Sequence, residues 1–160
     1  MTQLHDARVN LDPKHDACVV PMLALLRSLD AFDRVCVGSF SDRRLAAIRR
    51  LSGGRACTSM GPRAAGLARV GSWLGALPSR FGADCVQLPL RSRGIRLIDK
   101  RLVTACHRRG LPVHVWTIND EAEMEQLLDL GVDGIMTDHP RTLAAVFARR
   151  GLPLDGSADI

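Results

Sequence analysis

The sequence predicts an α/β protein built on a parallel (β/α) barrel that is incomplete, with about six strand–helix units. Short apolar segments alternate with helical segments along residues 7–150, and the connecting loops are short. Strict alternation of this kind is typical of a parallel sheet covered by helices. The strands are near-continuous apolar runs, as expected for strands buried on both faces. An eight-unit barrel would need at least two more units than these 160 residues contain.

The first half of the chain contains three of these units. A proline near the start of the first helix is tolerated there. Ser41 is a suitable N-cap for the second helix. The third strand is short, and two glycines weaken the helix after it. The predicted strands are 7–12, 34–40 and 55–60, and the predicted helices are 20–29, 41–51 and 62–77.

The second half repeats the pattern three more times. Gly110 and Gly131 end the fourth and fifth helices, as C-terminal glycines do. The fifth helix has an acidic first turn that suits the helix dipole, and Pro140 lies in the first turn of the sixth. The predicted strands are 84–90, 112–118 and 134–138, and the predicted helices are 99–109, 120–130 and 140–150. One domain is expected over residues 1–150, followed by a frayed tail at 151–160.

The charge balance limits the classes of partner. The net charge is +5, and all basic residues except Lys14 and Lys100 are arginines. This excess is typical of a solvated basic surface, and it also suits an anionic substrate. Nucleic acid is not expected as a partner, because the chain has no zinc-finger spacing, basic helix or basic run with interleaved aromatics. No glycine-rich phosphate loop follows the first strand, which argues against a Rossmann nucleotide site.

Cysteine usage and hydropathy predict a cytoplasmic protein. The chain has five scattered cysteines and no C-x-x-C motif, a pattern that favours a reducing compartment. No signal peptide is expected, because the opening MTQLHDARVN is polar. No apolar run approaches the roughly 18 residues that a membrane span requires.

The first strand ends in Asn10-Leu11-Asp12-Pro13-Lys14. Side chains alternate along a strand, so Asn10, Asp12 and Lys14 should point to one side, and Leu11 and Pro13 to the other. Two interpretations stay open for the charged pair. It is either a structural ion pair at the rim of the sheet, or Asp12 is an oxygen ligand for a hard cation and Lys14 is directed at a phosphate.

Polar or aromatic residues also end other strands. Ser39 could contact a phosphate oxygen or cap a loop, and Trp116 could be a core residue or part of a pocket wall. Asp138 is expected to cap the last helix. His114 alternates with Trp116, and a lone histidine on a strand is more often structural than catalytic. No two strands end in a pair of histidines that could serve as general acid and base.

These residues carry a family resemblance. The stretch HVWTINDEAEMEQLLDLGVDGIMTDHP resembles the closing signature of the glycerophosphodiester phosphodiesterases. In that family a V-x-V-W-T-x-N strand precedes a helix and then G-V-D-G-I-x-T-D-x-P, and every one of those positions is matched. VNLDPKHD resembles the family's strand, which usually reads N-I-E-x-K or N-I-D-P-K, and VCVGSFSDRRL resembles its S-F strand. The resemblance covers about residues 7–148.

The resemblance implies a barrel of the phosphodiesterase TIM-barrel type. It implies hydrolysis of glycerophosphodiesters to glycerol 3-phosphate and an alcohol, within lipid metabolism, with a divalent cation, commonly Mg²⁺ or Ca²⁺. Asp12 would be a carboxylate ligand of that metal, one methylene shorter than the common Glu. Lys14 would be the catalytic cation that stabilises the phosphate. Trp116 would line the glycerol side of the pocket, and Ser39 would contact the substrate.

Part of the family pattern has no match. The family opens with a His-Arg-Gly strand, then a strand with further acidic ligands, then a second His before Asp. Ahead of Val9 this chain has only MTQLHDAR. We therefore expect the chain to be the carboxyl-terminal part of such a domain, with an incomplete cation site and weak or no activity alone.

Two alternatives remain. One is a non-enzymatic partial barrel that associates with itself or a partner through open sheet edges. The other is a different phosphate-binding barrel, such as a synthase or isomerase. It is disfavoured because such barrels often carry a glycine-rich phosphate loop near the last two strands, and none is present here.

Overall fold

The computed structural model describes residues 7–75, 77, 82–92 and 94–153. The chain divides into two compact units, Met1–Gln87 and Leu88–Ile160, and the division falls inside a strand. Both units combine α-helices with short parallel strands, which confirms the predicted α/β class. None of the described helices has the length and apolar character needed to cross a bilayer.

The first unit is built on three parallel strands in the order β1-β2-β3. Asn10 on β1 lies opposite Cys36 on β2, and Cys36 lies opposite Cys57 on β3. A parallel bridge joins Ser59, just after β3, to Cys85. Its strands and helices are β1 (Val9–Leu11), α1 (Val19–Ser28), β2 (Val35–Val37), α2 (Asp42–Leu51), β3 (Cys57–Thr58) and α3 (Pro62–Trp73).

One buried cluster forms the core between this sheet and its helices. The helix α1 contributes its inward-facing apolar residues, and β2 contributes the two valines that point the same way. The members of the cluster are Val19, Leu23, Leu26, Ala31, Phe32, Val35, Val37, Ile48 and Ala56. Leu11 and Met22 pack against the cluster from its edge. Because alternate strand residues point to opposite faces, the residues between these valines are left to form a second, chemically different face.

The second unit contains a three-stranded sheet in the order β4-β7-β8, in which β7 and β8 are parallel. A short antiparallel pair, β5 and β6, precedes the first helix of this unit. The sequence predicted no strands there, because RSRGIR has no apolar alternation. The elements are β4 (Val86–Pro89), β5 (Arg91–Ser92), β6 (Ile95–Arg96), α4 (Lys100–His107), β7 (Val113–Trp116), α5 (Glu121–Leu130), β8 (Gly134–Ile135) and α6 (Pro140–Arg149).

The helix ends follow the predicted signals. Ser41 Oγ accepts a hydrogen bond from Arg44 N at 3.2 Å, so Ser41 is the N-cap of α2. Gly131 ends α5 in the left-handed conformation with φ +83°, which a residue with a Cβ rarely adopts. Pro140 occupies the first turn of α6. The third predicted helix ends earlier than expected, at Trp73 rather than residue 77, and Gly75 follows it with φ +73°.

Candidate functional site

The two faces of the first sheet differ in chemistry. Val35 and Val37 point into the buried core. Cys36 points the other way, and Gln87 Nε2 lies 3.7 Å from its Sγ and 3.2 Å from Asn10 Oδ1. We call the face that carries Asn10, Cys36 and Gln87 the polar face. Asp12 follows Asn10 by two residues, so it continues this face at the carboxyl end of β1.

Asp12 and Lys14 form an ion pair just beyond β1. Lys14 Nζ donates a hydrogen bond to Asp12 Oδ2, and the side chains of Lys14 and Asp12 are 68% and 31% exposed. Leu11 packs against the core and Pro13 is buried, which confirms the predicted alternation. The Lys14 ammonium also lies 5.9 Å from the centre of the Phe40 ring, itself strongly exposed. The pair is therefore accessible to a ligand from solvent, with an aromatic ring beside it.

Ser39 is held by two donors in the loop after β2. Its Oγ accepts hydrogen bonds from Ser41 N at 3.2 Å and from Arg44 Nη1 at 3.1 Å. The same Arg44 nitrogen donates to the backbone oxygen of Pro13 at 2.8 Å. Arg44 therefore ties the loop after β1 to the loop after β2. Ser39 has the loop-capping role that the sequence left open, and its predicted contact with substrate stays a prediction.

Asp16 also takes part in the link that Arg44 makes between the two loops. Arg44 Nε donates to Asp16 Oδ1 at 2.8 Å, and Arg43 Nη2 donates to Asp16 Oδ2. Hydrogen bonds from Arg43 and then Arg44 lower the pKa of the Asp16 carboxyl below its ordinary value. The role of Arg44 could not be predicted, since an arginine on a helix that links two loops looks in sequence like any other surface arginine.

Three thiols converge on the polar face. Cys36 and Cys57 are register partners, and Cys36 Sγ lies 3.5 Å from Cys85 Sγ. Hydrogen bonding with the Cys57 thiol, together with burial, raises the pKa of Cys36 to about 12, although the hydrogen bond with Cys85 acts in the opposite direction. Hydrogen bonds with Cys36 and Cys57, and burial, also raise the pKa of Cys85. All of these cysteines are free; Cys85 is buried, while Cys36 and Cys57 are half-buried.

We expect thiol-specific alkylation of the folded chain to modify Cys18 long before Cys36 or Cys85. Cys18 is exposed, whereas the raised pKa of the other two lowers the population of the reactive thiolate. Iodoacetamide labelling at mildly alkaline pH, followed by peptide mass spectrometry over time, measures the order. In strong denaturant all the cysteines should react at similar rates. Rapid labelling of Cys36 or Cys85 in the folded chain would contradict the expectation.

In the second unit, β7 places His114 and Trp116 on one face. Val113 and Val115 are fully buried, and His114 and Trp116, which alternate with them, are half-buried. Gly134 on β8 lies opposite His114, and a Cβ at that position would stand 2.8 Å from the imidazole Cδ2. The second glycine of the G-V-D-G motif is thus explained by the packing of a histidine ring. The role of Trp116 as a pocket wall stays a prediction.

The polar residues after β7 and β8 bind one another. Asn119 Oδ1 accepts hydrogen bonds from Thr137 Oγ1 at 3.0 Å and from Asp138 N at 2.9 Å, and Asn119 Nδ2 donates to Asp138 Oδ2 at 3.1 Å. Thr137 Oγ1 in turn accepts from His139 N at 2.9 Å. The prediction that Asp138 caps the last helix is wrong. His139 is the N-cap, no side chain caps this helix, and the Asp138 carboxylate binds Asn119 instead.

Two aspartates anchor neighbouring strands through the same pair of hydrogen bonds, one from the backbone N–H and one to the carboxylate. Asp84 N donates to Thr58 O at 2.8 Å, and Asp84 Oδ2 accepts from Thr58 N at 2.7 Å. Asp133 N donates to Val113 O at 2.9 Å, and Asp133 Oδ2 accepts from Val113 N at 2.7 Å. Asp133 Oδ2 is also 2.7 Å from His107 Nε2. The aspartate of G-V-D-G is therefore a structural residue, a role that only the register between distant strands reveals.

The predicted site residues are divided between the two units, with Asp12, Lys14 and Ser39 in the first and Trp116 in the second. Within the described ranges, no group of three or more His, Cys, Asp or Glu side chains is arranged to hold a metal ion. Asp12 offers one carboxylate, already paired with Lys14. Mg²⁺ and Ca²⁺ take about six or more oxygen ligands, so the described donors do not form a complete cation site.

Strands that alternate with helices, pair in parallel, and carry charged and polar groups at their carboxyl ends define a TIM-barrel-like α/β protein. The sequence model of the glycerophosphoryl diester phosphodiesterase family matches residues 7–142. The chain belongs to the glycerophosphoryl diester phosphodiesterase family.

Relatives agree with this assignment. A Mycobacterium tuberculosis protein named probable glycerophosphodiester phosphodiesterase 2 is 38% identical over 160 residues, covering 94% of this chain and 59% of that protein. A candidate glycerophosphoryl diester phosphodiesterase of Silicibacter pomeroyi superposes with a TM-score of 0.69 at 23% identity, covering 91% of this chain and 51% of that one. An Oleispira antarctica phosphodiesterase, solved with the product sn-glycerol-3-phosphate, superposes with a TM-score of 0.62 at 18% identity, covering 88% and 55%.

At these identities the two solved structures establish likeness of fold. The chain spans between 51% and 59% of the length of these three proteins.

Proposed function

We propose that this chain takes part in the hydrolysis of glycerophosphodiesters to glycerol 3-phosphate and an alcohol, a reaction of lipid metabolism. Membership of the family supports the reaction class, and the glycerol 3-phosphate bound to the Oleispira antarctica relative supports the product. The observation that carries the proposal is the accessible Asp12–Lys14 pair at the carboxyl end of β1. The carboxyl ends of the strands are where parallel α/β barrels carry their sites.

Lys14 is the residue we assign to the phosphate. In the hydrolysis, water attacks phosphorus, the bond from phosphorus to the alcohol oxygen breaks, and the proton that the water loses is transferred in net terms to the leaving alkoxide. Negative charge develops on the phosphoryl oxygens during this step, and a fixed ammonium lowers its energy. The Lys14 ammonium is held in place by Asp12 and lies near the Phe40 ring, yet remains largely exposed.

Asp12 is assigned as one ligand of a divalent cation, Mg²⁺ or Ca²⁺. Carboxylate oxygen is the donor that both ions prefer. When bound, such a cation acts as a Lewis acid toward the phosphoryl group. The resemblance puts the other acidic ligands ahead of the position matched by Val9, where this sequence reads MTQLHDAR. The cation site is therefore proposed to be incomplete within these residues.

Ser39 and Trp116 are assigned to substrate binding. Arg44 fixes the position of the Ser39 hydroxyl. Trp116 presents a half-buried indole on the face of β7 that it shares with His114, suited to the apolar edge of the glycerol group. The free thiols suit a reducing compartment, so we place the reaction in the cytoplasm.

We propose that the 160-residue chain is weakly active alone. Residues 1–8 contain no His-Arg-Gly segment. Loss of a general acid–base residue commonly costs about 10²–10⁴-fold in rate. We therefore expect the chain to bind product-like ligands but to turn over substrate slowly.

A two-part experiment on the purified chain tests this proposal. Binding of sn-glycerol 3-phosphate, measured by NMR titration, should exceed binding of glucose 6-phosphate and of glycerol. Release of glycerol 3-phosphate from glycerophosphocholine should be slow and lost when the cation is chelated. A preference for the sugar phosphate would overturn the substrate class. Turnover at the rate of full-length relatives would overturn only the proposed weak activity.

Self-association is the second candidate property. In the described sheet of the first unit, β1 is an edge strand, and Val9 on it is 39% exposed. An edge strand presents unpaired backbone groups to another chain. Light scattering coupled to size exclusion should then give a mass above that of the 17.4 kDa monomer. A monomer at all concentrations would reject this candidate.

A further inference from the structure

The outward side of α3 is apolar. Its inward side is made of small residues, Ala65, Ala68, Gly71 and Ser72, which are buried. Four large apolar side chains at helical spacing point away from that side and into solvent. They are Leu67, Val70, Trp73 and Leu74, exposed by 58%, 52%, 55% and 77%. We call these four residues the outer face of α3.

This arrangement reverses the usual amphipathic pattern. A surface helix normally turns its large apolar residues toward the core and its charged residues toward water. α3 instead uses alanine, glycine and serine against its own unit and leaves leucine, valine and tryptophan outside. Single exposed apolar residues are ordinary, but a contiguous patch on one helix face marks an interaction surface.

Two arginines of α3 lie beside its outer face, and Asp42 Oδ2 accepts a hydrogen bond from Arg63 N at the start of the helix. Arg63 is exposed in the first turn of α3. The guanidinium of Arg69 lies 4.5 Å from the centre of the Trp73 ring, at the flank of the apolar residues. Arginine beside tryptophan and leucine is the composition of helices that lie in the plane of a membrane surface.

We propose that the outer face of α3 binds the surface of an anionic lipid bilayer. The apolar side chains enter the boundary between headgroups and acyl chains, and the flanking arginines contact lipid phosphates. Such a surface would hold the protein where lipid-derived phosphodiesters are released. The inference does not depend on the proposed hydrolysis, because binding is measured without substrate and its failure would leave that proposal untouched.

Vesicle binding by the purified 160-residue chain tests the proposal. The probes are vesicles of phosphatidylcholine alone, and of phosphatidylcholine mixed with phosphatidylglycerol. The chain should sediment with the anionic vesicles, and added salt should reduce the bound fraction. Leu67→Glu should weaken partitioning about tenfold or more, since it replaces an exposed leucine that would enter the lipid by a charge that anionic lipid repels. The Trp fluorescence of the parent chain should shift to the blue on binding, and the Trp73→Phe variant should lose most of that shift.

Leu25→Glu is the matched control. Leu25 lies on α1 and is 58% exposed, the same as Leu67. Its substitution should leave vesicle binding unchanged if the outer face of α3 is the binding surface. Three outcomes would overturn the proposal: no binding to anionic vesicles, an equal loss in both variants, or self-association through α3 with no vesicle binding. Thermal unfolding of each variant identifies a loss of binding that results from misfolding.

Discussion

Replacing Lys14 with alanine is expected to weaken binding of sn-glycerol 3-phosphate by about 10- to 100-fold. A hydrogen bond from a charged donor contributes about 1.5–3 kcal/mol, and each 1.4 kcal/mol is about tenfold in affinity. Lys14 is exposed, and its ammonium pairs with Asp12 beside the exposed Phe40 ring, so its loss should leave the fold intact. Isothermal titration calorimetry measures the affinity, and unfolding curves of the parent chain and the variant show whether the substitution alters the fold.

Lys100→Ala is the matched control, because Lys100 is the other lysine in the chain. Its Nζ donates to Leu130 O at 3.2 Å, and it begins α4 in the second unit. The substitution removes the same charge from a different surface. Similar losses of affinity in both variants would mean that phosphate binding depends on net charge alone, and the assignment of Lys14 would be wrong.

Asp12→Asn divides the two interpretations of the charged pair. Without a divalent cation, the Asp12 carboxylate competes with phosphate for the Lys14 ammonium, so the variant should bind the phosphate more tightly than the parent chain. With Mg²⁺ or Ca²⁺ added, the parent should gain affinity and the variant should not, because one oxygen ligand has become a weaker amide. A cation effect of equal size in both proteins would remove Asp12 from the ligand set.

The sequence predicted the order of elements well, because local patterns determine it. Alternating residues along β1 placed Leu11 and Asp12 on opposite faces, and the structure agrees. Ser41 begins α2 and Gly131 ends α5 through contacts within a few residues, which a sequence displays directly. The Asp12–Lys14 pair spans two residues and was equally readable.

Contacts between distant segments escaped prediction. The meeting of Cys36 with Cys85 depends on strand register across 49 positions. In the sequence, the polar strand ends Asn119, Thr137 and Asp138 looked like site residues. In the structure, their hydrogen bonds to one another link the ends of β7 and β8. Each residue was visible in the sequence, but the distant residue that it contacts could not be identified.

Asp133→Ala is expected to destabilise the chain by about 2–4 kcal/mol. Asp133 Oδ2 accepts hydrogen bonds from Val113 N and contacts His107 Nε2, both at 2.7 Å. Val113 is fully buried, so the alanine variant would leave its N–H without a partner, at a cost of about 1–3 kcal/mol. The charge-assisted contact with His107 adds to this loss. Urea unfolding followed by far-UV circular dichroism measures the free energy of unfolding.

Two variants show whether the cost arises from the buried N–H. Asp129→Ala removes a carboxylate that is 69% exposed and pairs with Arg150, so it should change stability by less than about 1 kcal/mol. Asp133→Asn retains an oxygen that can accept from Val113 N, and its loss should fall between the other two. If Asp133→Asn is as damaging as Asp133→Ala, the charge dominates. If all three variants match the parent chain, the strand anchor contributes nothing, and the aspartate of G-V-D-G needs another explanation.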